Sequence, residues 1–421
     1  MLDLKLIRDN PDMVRAGLRR RGADPALVDR ALEADRRRRE LVQEVERLRA
    51  EQNRVSAEIP KLSGAGKQAR IGEMREVAAR IKGLEPDLKV AEEALAAILL
   101  LFPNLPHESV PAGADASANV VLRTWGTAPQ FGFTPRDHAD LGTQLRILDI
   151  ERGAKVSGSR FYYLRGAGVL LEQALMRFAL DLVLADGFTP VQTPFLVRPE
   201  VMLGAYGGAE IDAQQIYRIE GEELVLIGTS EQSLAGLYKD ETLDEKLLPI
   251  RLAGLSWCFR REAGTYGKDT RGVFRVHQFD KVEMFSFTAP EVSWDEHEFL
   301  LGLEERLLQR LGLHHRVVLL CGGEAGTASA KTYDIETWMP GRGGFAETTS
   351  CSNCTDFQAR RLAIRIRRSS GAVYAHTLNG TAVATPRAWI AVLENYQQAD
   401  GSVRIPDALV PYMNGMKEIK P

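Results

Sequence analysis

Two runs of heptad spacing constrain this chain more than any other feature. Leu27, Ala31, Ala34, Leu41, Val45, Leu48, Val55 and Ile59 recur at alternating three- and four-residue steps, with Arg38 and Gln52 as polar exceptions. Met74, Val77, Ile81, Leu84, Leu88, Ala91, Leu95 and Ile98 repeat the pattern. Each series is a narrow apolar seam along one side of a helix, which a single helix cannot bury alone. Between them lies PKLSGAGK, with Pro60, Gly64 and Gly66 as turn residues. The pattern therefore predicts an antiparallel hairpin over about residues 26–102, with helices of about 32 residues that are roughly 50 Å long. Pro86 removes a backbone donor and is expected to interrupt and kink the second helix.

The hairpin is rich in charge: DRRRRE from Asp35 to Glu40, then Arg47, Arg49, Arg54, Lys61, Lys67, Arg70, Arg75, Arg80 and Lys82, interleaved with Glu. Such a face suits an interaction or dimerisation arm that is simply solvated. It also suits a rigid arm that tracks a phosphate backbone. Net charge does not choose between these, because it is only −3 over 421 residues; any basic surface is local.

The 44% hydrophobic content supports one large core and a smaller domain. Cys258, Cys321, Cys351 and Cys354 are too few and too uneven for a disulfide scaffold. The opening MLDLKLIRDN has neither the basic region nor the apolar run of a signal peptide. The longest apolar run, Ala94 to Phe102, is far short of a membrane span. These features predict a soluble cytoplasmic protein without a membrane segment. No period of a solenoid repeat is evident.

From Asn104 the grammar changes. PNLPHESVPAGADASAN is a Pro-, Gly- and Ala-rich linker. Beyond it LEQALMRFALDLVLADG reads as a helix ended by Gly187, and FTPVQTPFLV as an extended segment. Leu224 to Ile227, Ser256 to Arg260, Phe274 to Phe287 and Arg316 to Leu320 are expected strands; Glu291 to Leu311, Asp356 to Arg365 and Arg387 to Gln397 are expected helices. The alternation is not a regular βαβ series, so an α+β fold with a largely antiparallel sheet is expected. The domains expected are 1–108, carrying the arm, and 109–421.

FRREAGTYGKDTRGVFRVHQFDKVEM, residues 259–284, packs six Lys or Arg and four Asp or Glu into strand-like sequence around three glycines. Alternate residues of a strand share a face. Phe274, Val276, Val282 and Met284 form a core face, leaving Arg275, His277, Phe279 and Glu283 on the other. Arg260 and Glu262 likewise share a face, beside Trp257 and Phe259. Gly264 and Gly267 sit in the connecting loop, with Lys268 and Arg271 near its tip. Two such strands side by side would aim Arg260, Glu262, Arg275, Phe279 and Glu283 into one cavity, suited to a substrate with phosphates, a π-face and an amine. A surface hairpin laced by cross-strand ion pairs fits the same pattern. GTYGKDT and SGAGKQ lack the spacing and the Lys-Ser/Thr ending of a phosphate loop. No GxGxxG follows an expected strand. Cys351-Ser-Asn-Cys354 has no second pair, so it reads as small core or loop cysteines rather than a zinc site.

Residues 259–284 closely resemble motif 2 of class II aminoacyl-tRNA synthetases in the form used by seryl-tRNA synthetases. GFTPVQTP (Gly187 to Pro194) resembles motif 1, and NGTAVATPRAWIAVLENYQ (Asn379 to Gln397) motif 3. VSGSRFYYLRG (Val156 to Gly166), GTSE (Gly228 to Glu231) and ETTSCSNCTDFQARR (Glu347 to Arg361) match the same family. The resemblance spans the whole chain, arm included. It implies an antiparallel coiled-coil hairpin arm followed by a class II catalytic domain, in a homodimer. It also implies joining of L-serine to ATP with release of pyrophosphate, then transfer to the 3′ end of tRNA(Ser), and of tRNA(Sec) where that tRNA exists. The arm would bind the long variable arm and elbow of the tRNA.

Carried onto this sequence, the resemblance places Arg260 between α-phosphate and serine carboxylate, with Arg261 beside it. Glu262 would read the adenine amino group, Phe279 would stack on adenine, and Val276 would offer backbone contacts. Arg271 and Arg387 match γ-phosphate contacts, and Arg387 also packs on adenine. Arg387 follows Thr385 and Pro386, expected as N-cap and first residue of a helix whose N-terminus favours anions. Glu347 and Ser350 match magnesium positions, flanking Thr348 and Thr349 in the ATP site. Thr229, Ser230 and Glu231 would hold the serine amino group; Glu283 and Thr381 its hydroxyl.

Three segments depart from the family pattern. GAYGGAEIDAQQIY (Gly204 to Tyr217) replaces a GTGxLPKF-like loop, GRGGFA precedes Glu347 where a more basic segment is usual, and Pro86 is unusual in the arm. None removes a residue assigned to chemistry. An amino acid:carrier-protein ligase on the same core would lack the arm, and a non-catalytic tRNA-binding paralogue would be expected to lose Arg260, Glu283 or Arg387. A duplicate enzyme tolerant of a serine-adenylate-like inhibitor is compatible with the first two departures.

Overall fold

The computed structural model describes residues 1–212, 214–263 and 271–421. Gly264, Gly267 and Lys268 of the expected loop lie outside the described residues. The chain divides into two compact units: Leu2–Arg19 with Ala23–Pro103, and Met1 and Arg20–Gly22 with Asn104–Pro421.

The first unit contains the two seam helices, α1 (Leu27–Glu58) and α2 (Gly64–Leu100). Val45 and Leu48 of α1 pack on Val77, Ile81 and Leu84 of α2. The turn is tighter than expected: a short 3-10 segment, Ile59–Lys61, leads into α2 at Gly64, so half of PKLSGAGK is helical. Pro86 does not interrupt α2. It removes one N–H bond on an exposed face, while the seam residues on either side keep the helix packed. The seam departs from the expected pattern in two places. Near its end Leu99 is buried and the expected Ile98 half-buried. Asp35 is buried, whereas the expected Ala34 is half-buried, because Arg8 forks onto the carboxylate at 2.7 and 2.5 Å and Arg39 reaches it at 3.0 Å.

The second unit is built on an eight-stranded sheet. Its strands are β1 (Val120–Trp125), β2 (Thr189–Gln192), β3 (Ile250–Phe259), β4 (Gln278–Thr288), β5 (His315–Leu319), β6 (Lys331–Met339), β7 (Gly344–Asn353) and β8 (His376–Ala384). Their spatial order is β1-β5-β6-β7-β8-β4-β3-β2, and every pair is antiparallel except β2 with β3. Helices α3 (Ala167–Ala185), α4 (Ser230–Ala235), α5 (Ser293–Arg310) and α6 (Thr385–Asn395) surround it. The main core joins Leu171, Leu175 and Phe178 of α3, Leu300 and Leu307 of α5 and Trp389 of α6 to Val282, Met284 and Ile335 in the sheet.

Strand alternation decides where chemistry goes. On β4, Val282 and Met284 enter the main core, while Phe285 and Phe287 enter a second core with Leu252 and Leu362. Phe279, Lys281 and Glu283 share the parity of that second set and line a cavity. The expected strand over Phe274–Phe287 begins only at Gln278, and β3 ends at Phe259, before Arg260 and Glu262. The charged ends of both segments are thus extensions past the sheet, aimed individually rather than by a common face.

Candidate active site

A cleft of about 690 Å³ opens over β4, β6, β7 and β8. Arg260 is positioned just beyond β3. Its N–H donates to the His277 carbonyl at 3.0 Å, continuing the β3–β4 pairing by one step. Its Nε donates to the Gly228 carbonyl at 3.1 Å, and the guanidinium lies 5.2 Å from the centre of the Phe279 ring. Glu262 has φ +48°, a left-handed conformation uncommon for a residue with a Cβ. Its carboxylate accepts from Arg275 at 2.8 Å inside the cleft. His277, expected on the same face, instead bonds the Arg260 carbonyl through Nδ1 at 2.8 Å and packs on Phe161. It braces Arg260 from outside the cavity.

Glu283 is buried next to the buried Lys281, two residues away on the same strand face, and the two form an ion pair. Thr381, its register partner on β8, holds its hydroxyl 3.4 Å from Glu283 Oε2. Burial pushes the Glu283 carboxyl up; Lys281 and Arg260 oppose that rise.

Two β-bulges set the rest of the lining. On β6–β7, Ile335 faces Thr349 and Glu336 faces Glu347, leaving Thr348 as the extra residue. Asp334 and Glu336 share one face of β6, so their partners Ser350 and Glu347 share it too. Without the bulge, residues three apart would point to opposite faces. On β8 the same device occurs at Ala382, with Thr381 facing Glu283 and Val383 facing Val282. Thr381 and Ala384 consequently both line the cleft. Asp334 is held well above the usual carboxylate range, first by burial and then by the Glu347 charge. Thr348 and Thr349 line the cleft, but their hydroxyls are engaged elsewhere. Thr348 bonds Thr337 and the Ile335 carbonyl; Thr349 donates to Glu304 at 2.9 Å.

At one end of the cleft Thr229 caps α4, accepting from the Glu231 N–H at 3.3 Å. Glu231 Oε1 accepts from Gln358 at 2.7 Å and Asn379 at 3.0 Å. Its carboxyl is pushed up to about 7, mainly by loss of solvent and then by Glu283. At the other end Arg387 bonds Glu347 Oε1 at 2.8 Å and its carbonyl at 3.1 Å. Its guanidinium lies 4.8 Å from the Phe274 ring centre, and that of Arg342 4.6 Å. Thr385 does not cap α6. It is the first helical residue, Ala384 takes the cap position, and the Thr385 hydroxyl donates to Glu172 at 3.0 Å.

Fourteen expected residues therefore converge on the cleft: Thr229, Glu231, Arg260, Glu262, Arg275, Val276, Phe279, Glu283, Glu347, Thr348, Thr349, Ser350, Thr381 and Arg387. Three others do not line it. Ser230 is buried under the sheet edge and donates to the Gly254 carbonyl at 3.3 Å. Arg261 is exposed, its N–H given to the Gln215 carbonyl at 2.9 Å. Arg271 is drawn to Asp137 at 3.2 Å and Asp140 at 2.5 Å. Sequence reasoning missed Lys281, Asp334, Asn379 and Phe274 as lining residues. Lys281 was legible, since it shares parity with Phe279 and Glu283; Asp334 was not, because its strand was not recognised. Cys351 and Cys354 are buried.

The geometry can hold an extended ligand with an ammonium at Glu231 and an anion at Arg260 and Arg387. Residues 1–106 match the family model for the seryl-tRNA synthetase N-terminal domain, and residues 215–396 that for the class II tRNA synthetase core domain (G, H, P, S and T). The chain is 46% identical to the serine–tRNA ligase of Dictyoglomus turgidum over 100% of both chains, and 48% identical to that of Rubrobacter xylanophilus over 98% of both. Among solved structures it resembles seryl-tRNA synthetase from Pyrococcus horikoshii complexed with ATP, at 45% identity, full coverage of both chains and a TM-score of 0.96. It also resembles the cytoplasmic serine–tRNA ligase of Naegleria fowleri in complex with AMP, at 35% identity, coverage of 100% and 99%, and a TM-score of 0.90. On these matches, which run the length of both of its units, the chain belongs to the seryl-tRNA synthetase family of the class II aminoacyl-tRNA synthetases.

Proposed function

We propose that the cleft activates L-serine with ATP and then esterifies tRNA(Ser). The observation that carries the reading is the pair of cleft carboxylates, Glu231 and Glu283, set beside Arg260. Among the described residues Glu231 meets amide donors and no ion-paired cation, and such a carboxylate suits the serine ammonium, with Thr229 beside it. Glu283 and Thr381 accept and donate to the serine hydroxyl. Alanine would leave these buried groups unpaired and is rejected for that reason. Threonine is excluded by its added methyl.

In the first step a serine carboxylate oxygen attacks the α-phosphorus, and the bond to pyrophosphate breaks as pyrophosphate leaves. The nucleophile is already ionised, so no general base is needed. Arg260 bridges the serine carboxylate and the α-phosphate, holding them in line and stabilising the developing charge. Phe279 and Arg387 sandwich the adenine, Glu262 accepts from its amino group, and Val276 contacts it through the backbone. Arg387 also meets the γ-phosphate. Arg271 joins it there on leaving Asp137 and Asp140, and Arg261 and Ser230 act from behind the lining. In the second step the terminal ribose hydroxyl attacks the seryl carbonyl and AMP leaves.

The donors at the Glu347 end fit Mg²⁺: Glu347, Ser350 and Asp334 offer only oxygens on one face, and the burial of Asp334 beside Glu347 is an acidic excess that a hard dication relieves. Bound there, Mg²⁺ would neutralise phosphate charge. The resemblance further supports residues 1–108 as the tRNA-binding domain and 109–421 as the catalytic one, tRNA(Sec) as a further substrate where present, a homodimer, and a cytoplasmic site of action. No helix among the described residues is long and apolar enough to cross a membrane.

The test is charging of a bacterial tRNA pool with labelled serine, alanine or threonine, beside serine-dependent pyrophosphate exchange. Serine alone should be charged. Exchange without charging would remove the tRNA step, and charging of alanine would refute the hydroxyl pocket.

A further inference from the structure

One wall of the cleft is the segment after β5, from Glu324 to Ser329. It belongs to no strand or helix, so its carbonyls must find partners outside a ladder. Arg21, about three hundred positions earlier in the chain, supplies them. Its side chain is nine-tenths buried within the same unit as the cleft. Nε donates to the Asn104 carbonyl at 3.0 Å; Nη1 donates to those of Gly322 at 3.2 Å and Ala325 at 2.8 Å. Nη2 donates to those of Gly326 at 2.7 Å, Thr327 at 3.3 Å and Ser329. No carboxylate is among these partners. An uncompensated buried cation is costly, and burial lowers the Arg21 pKa to about 10. Gly322 permits the approach, since a Cβ there would stand 2.0 Å from the Arg20 carbonyl oxygen.

The wall lies at the end of the cleft that holds Glu231. Thr332, just beyond it, pairs with Ser352, which pairs with Asn379, whose amide bonds Glu231. Thr327 packs beneath Gly207, where an added Cβ would meet its methyl at 2.9 Å. Gln358 then links the Ala205 carbonyl, at 2.8 Å, to Glu231, at 2.7 Å. We infer that Arg21 is a positioning residue for the serine end of the cleft, its guanidinium gathering six backbone carbonyls so that the Glu324–Ser329 wall holds its shape against Glu231. The inference rests on the serine reading of that end. Arg21 contacts the wall from behind and is not itself among the lining residues.

The test compares full-length wild type, Arg21→Ala and Arg21→Lys in pyrophosphate exchange, varying serine and ATP separately, with thermal melts as the check on folding. In Arg21→Ala the KM for serine should rise about ten-fold while that for ATP stays within about two-fold. Arg21→Lys should fall between, because one ammonium with three donors replaces a planar fork with five. An unchanged serine KM, or equal rises for both substrates, overturns the inference. Should Arg21→Ala not fold, the same serine-against-ATP split in Arg21→Lys decides. Wild-type enzyme that exchanges pyrophosphate without dependence on serine would instead overturn the functional reading, and this inference with it.

Discussion

The arm and the cleft are both rich in charge, yet they handle it in opposite ways. On the arm, charges are compensated locally and in water. Arg36 pairs with Glu33 at 2.6 Å and Glu40 at 3.1 Å, Arg47 with Glu44 at 2.9 Å, and Arg70 with Glu73 at 2.6 Å, with the arginines exposed. In the cleft, acids sit beside acids: Glu231 is near Glu283 and Asp334 near Glu347, with burial pushing three of the four up; Lys281 pairs with Glu283 and Arg387 with Glu347. Helix-surface pairs are easily satisfied by neighbours three or four residues on. The cleft pairs only some of its acids and leaves Glu231 and Asp334 for substrates to resolve. Charge density alone therefore says little; local compensation separates a solvated face from a site.

The largest expected effect comes from removing a cleft acid. Glu283→Ala should lower serine-dependent pyrophosphate exchange by about a thousand-fold in kcat/KM, since the serine hydroxyl loses its acceptor and Lys281 its partner. Near-wild-type exchange would erase the contrast with the arm.

A smaller effect concerns protonation. Glu231 is held up to about 7, against an ordinary 4.5. As pH falls through 7 the carboxyl gains a proton and loses the charge that meets the serine ammonium. The KM for serine should accordingly rise as pH drops from about 8 to 6, several-fold on simple titration. Glu231→Gln should raise that KM at high pH and flatten the profile; a slope that survives the substitution assigns the titration to another group.

The smallest effect belongs to the arm. Arg36→Ala breaks two exposed, solvent-screened pairs, and the urea-unfolding midpoint should not move measurably. Exchange without tRNA should be unchanged. A clear fall in that midpoint would place the arm's charges in the same class as those of the cleft.

Legibility followed the same divide. The arm could be read because helix period and heptad period act over many residues; the errors lay at its ends, at Pro86, which does not interrupt the helix, and at Asp35, where a distant arginine overrode the seam. The site residues were legible through the motifs that carry the family resemblance. Their arrangement was not. Glu347 and Ser350 are three apart, an odd spacing that alternation assigns to opposite faces, and only the bulge at Thr348 unites them. The strands β6, β7 and β8 went unrecognised because their cleft-facing residues are polar and, in β7 and β8, a bulge breaks the alternation. Arg271 carries the expected charge, yet Asp137 and Asp140 hold it off the cleft.

By itself the sequence determined the helical hairpin and the α+β class, because periodicity is a local property, and its family motifs supplied thirteen of the assigned site residues that line the cleft. Tertiary structure alone decided which odd-spaced residues share a face, that Arg260 and Glu262 act beyond the strand ends, and that Arg21 braces a wall some three hundred residues away in sequence. Those outcomes depend on strand register and on where buried carbonyls find donors, and neither is encoded within any one segment.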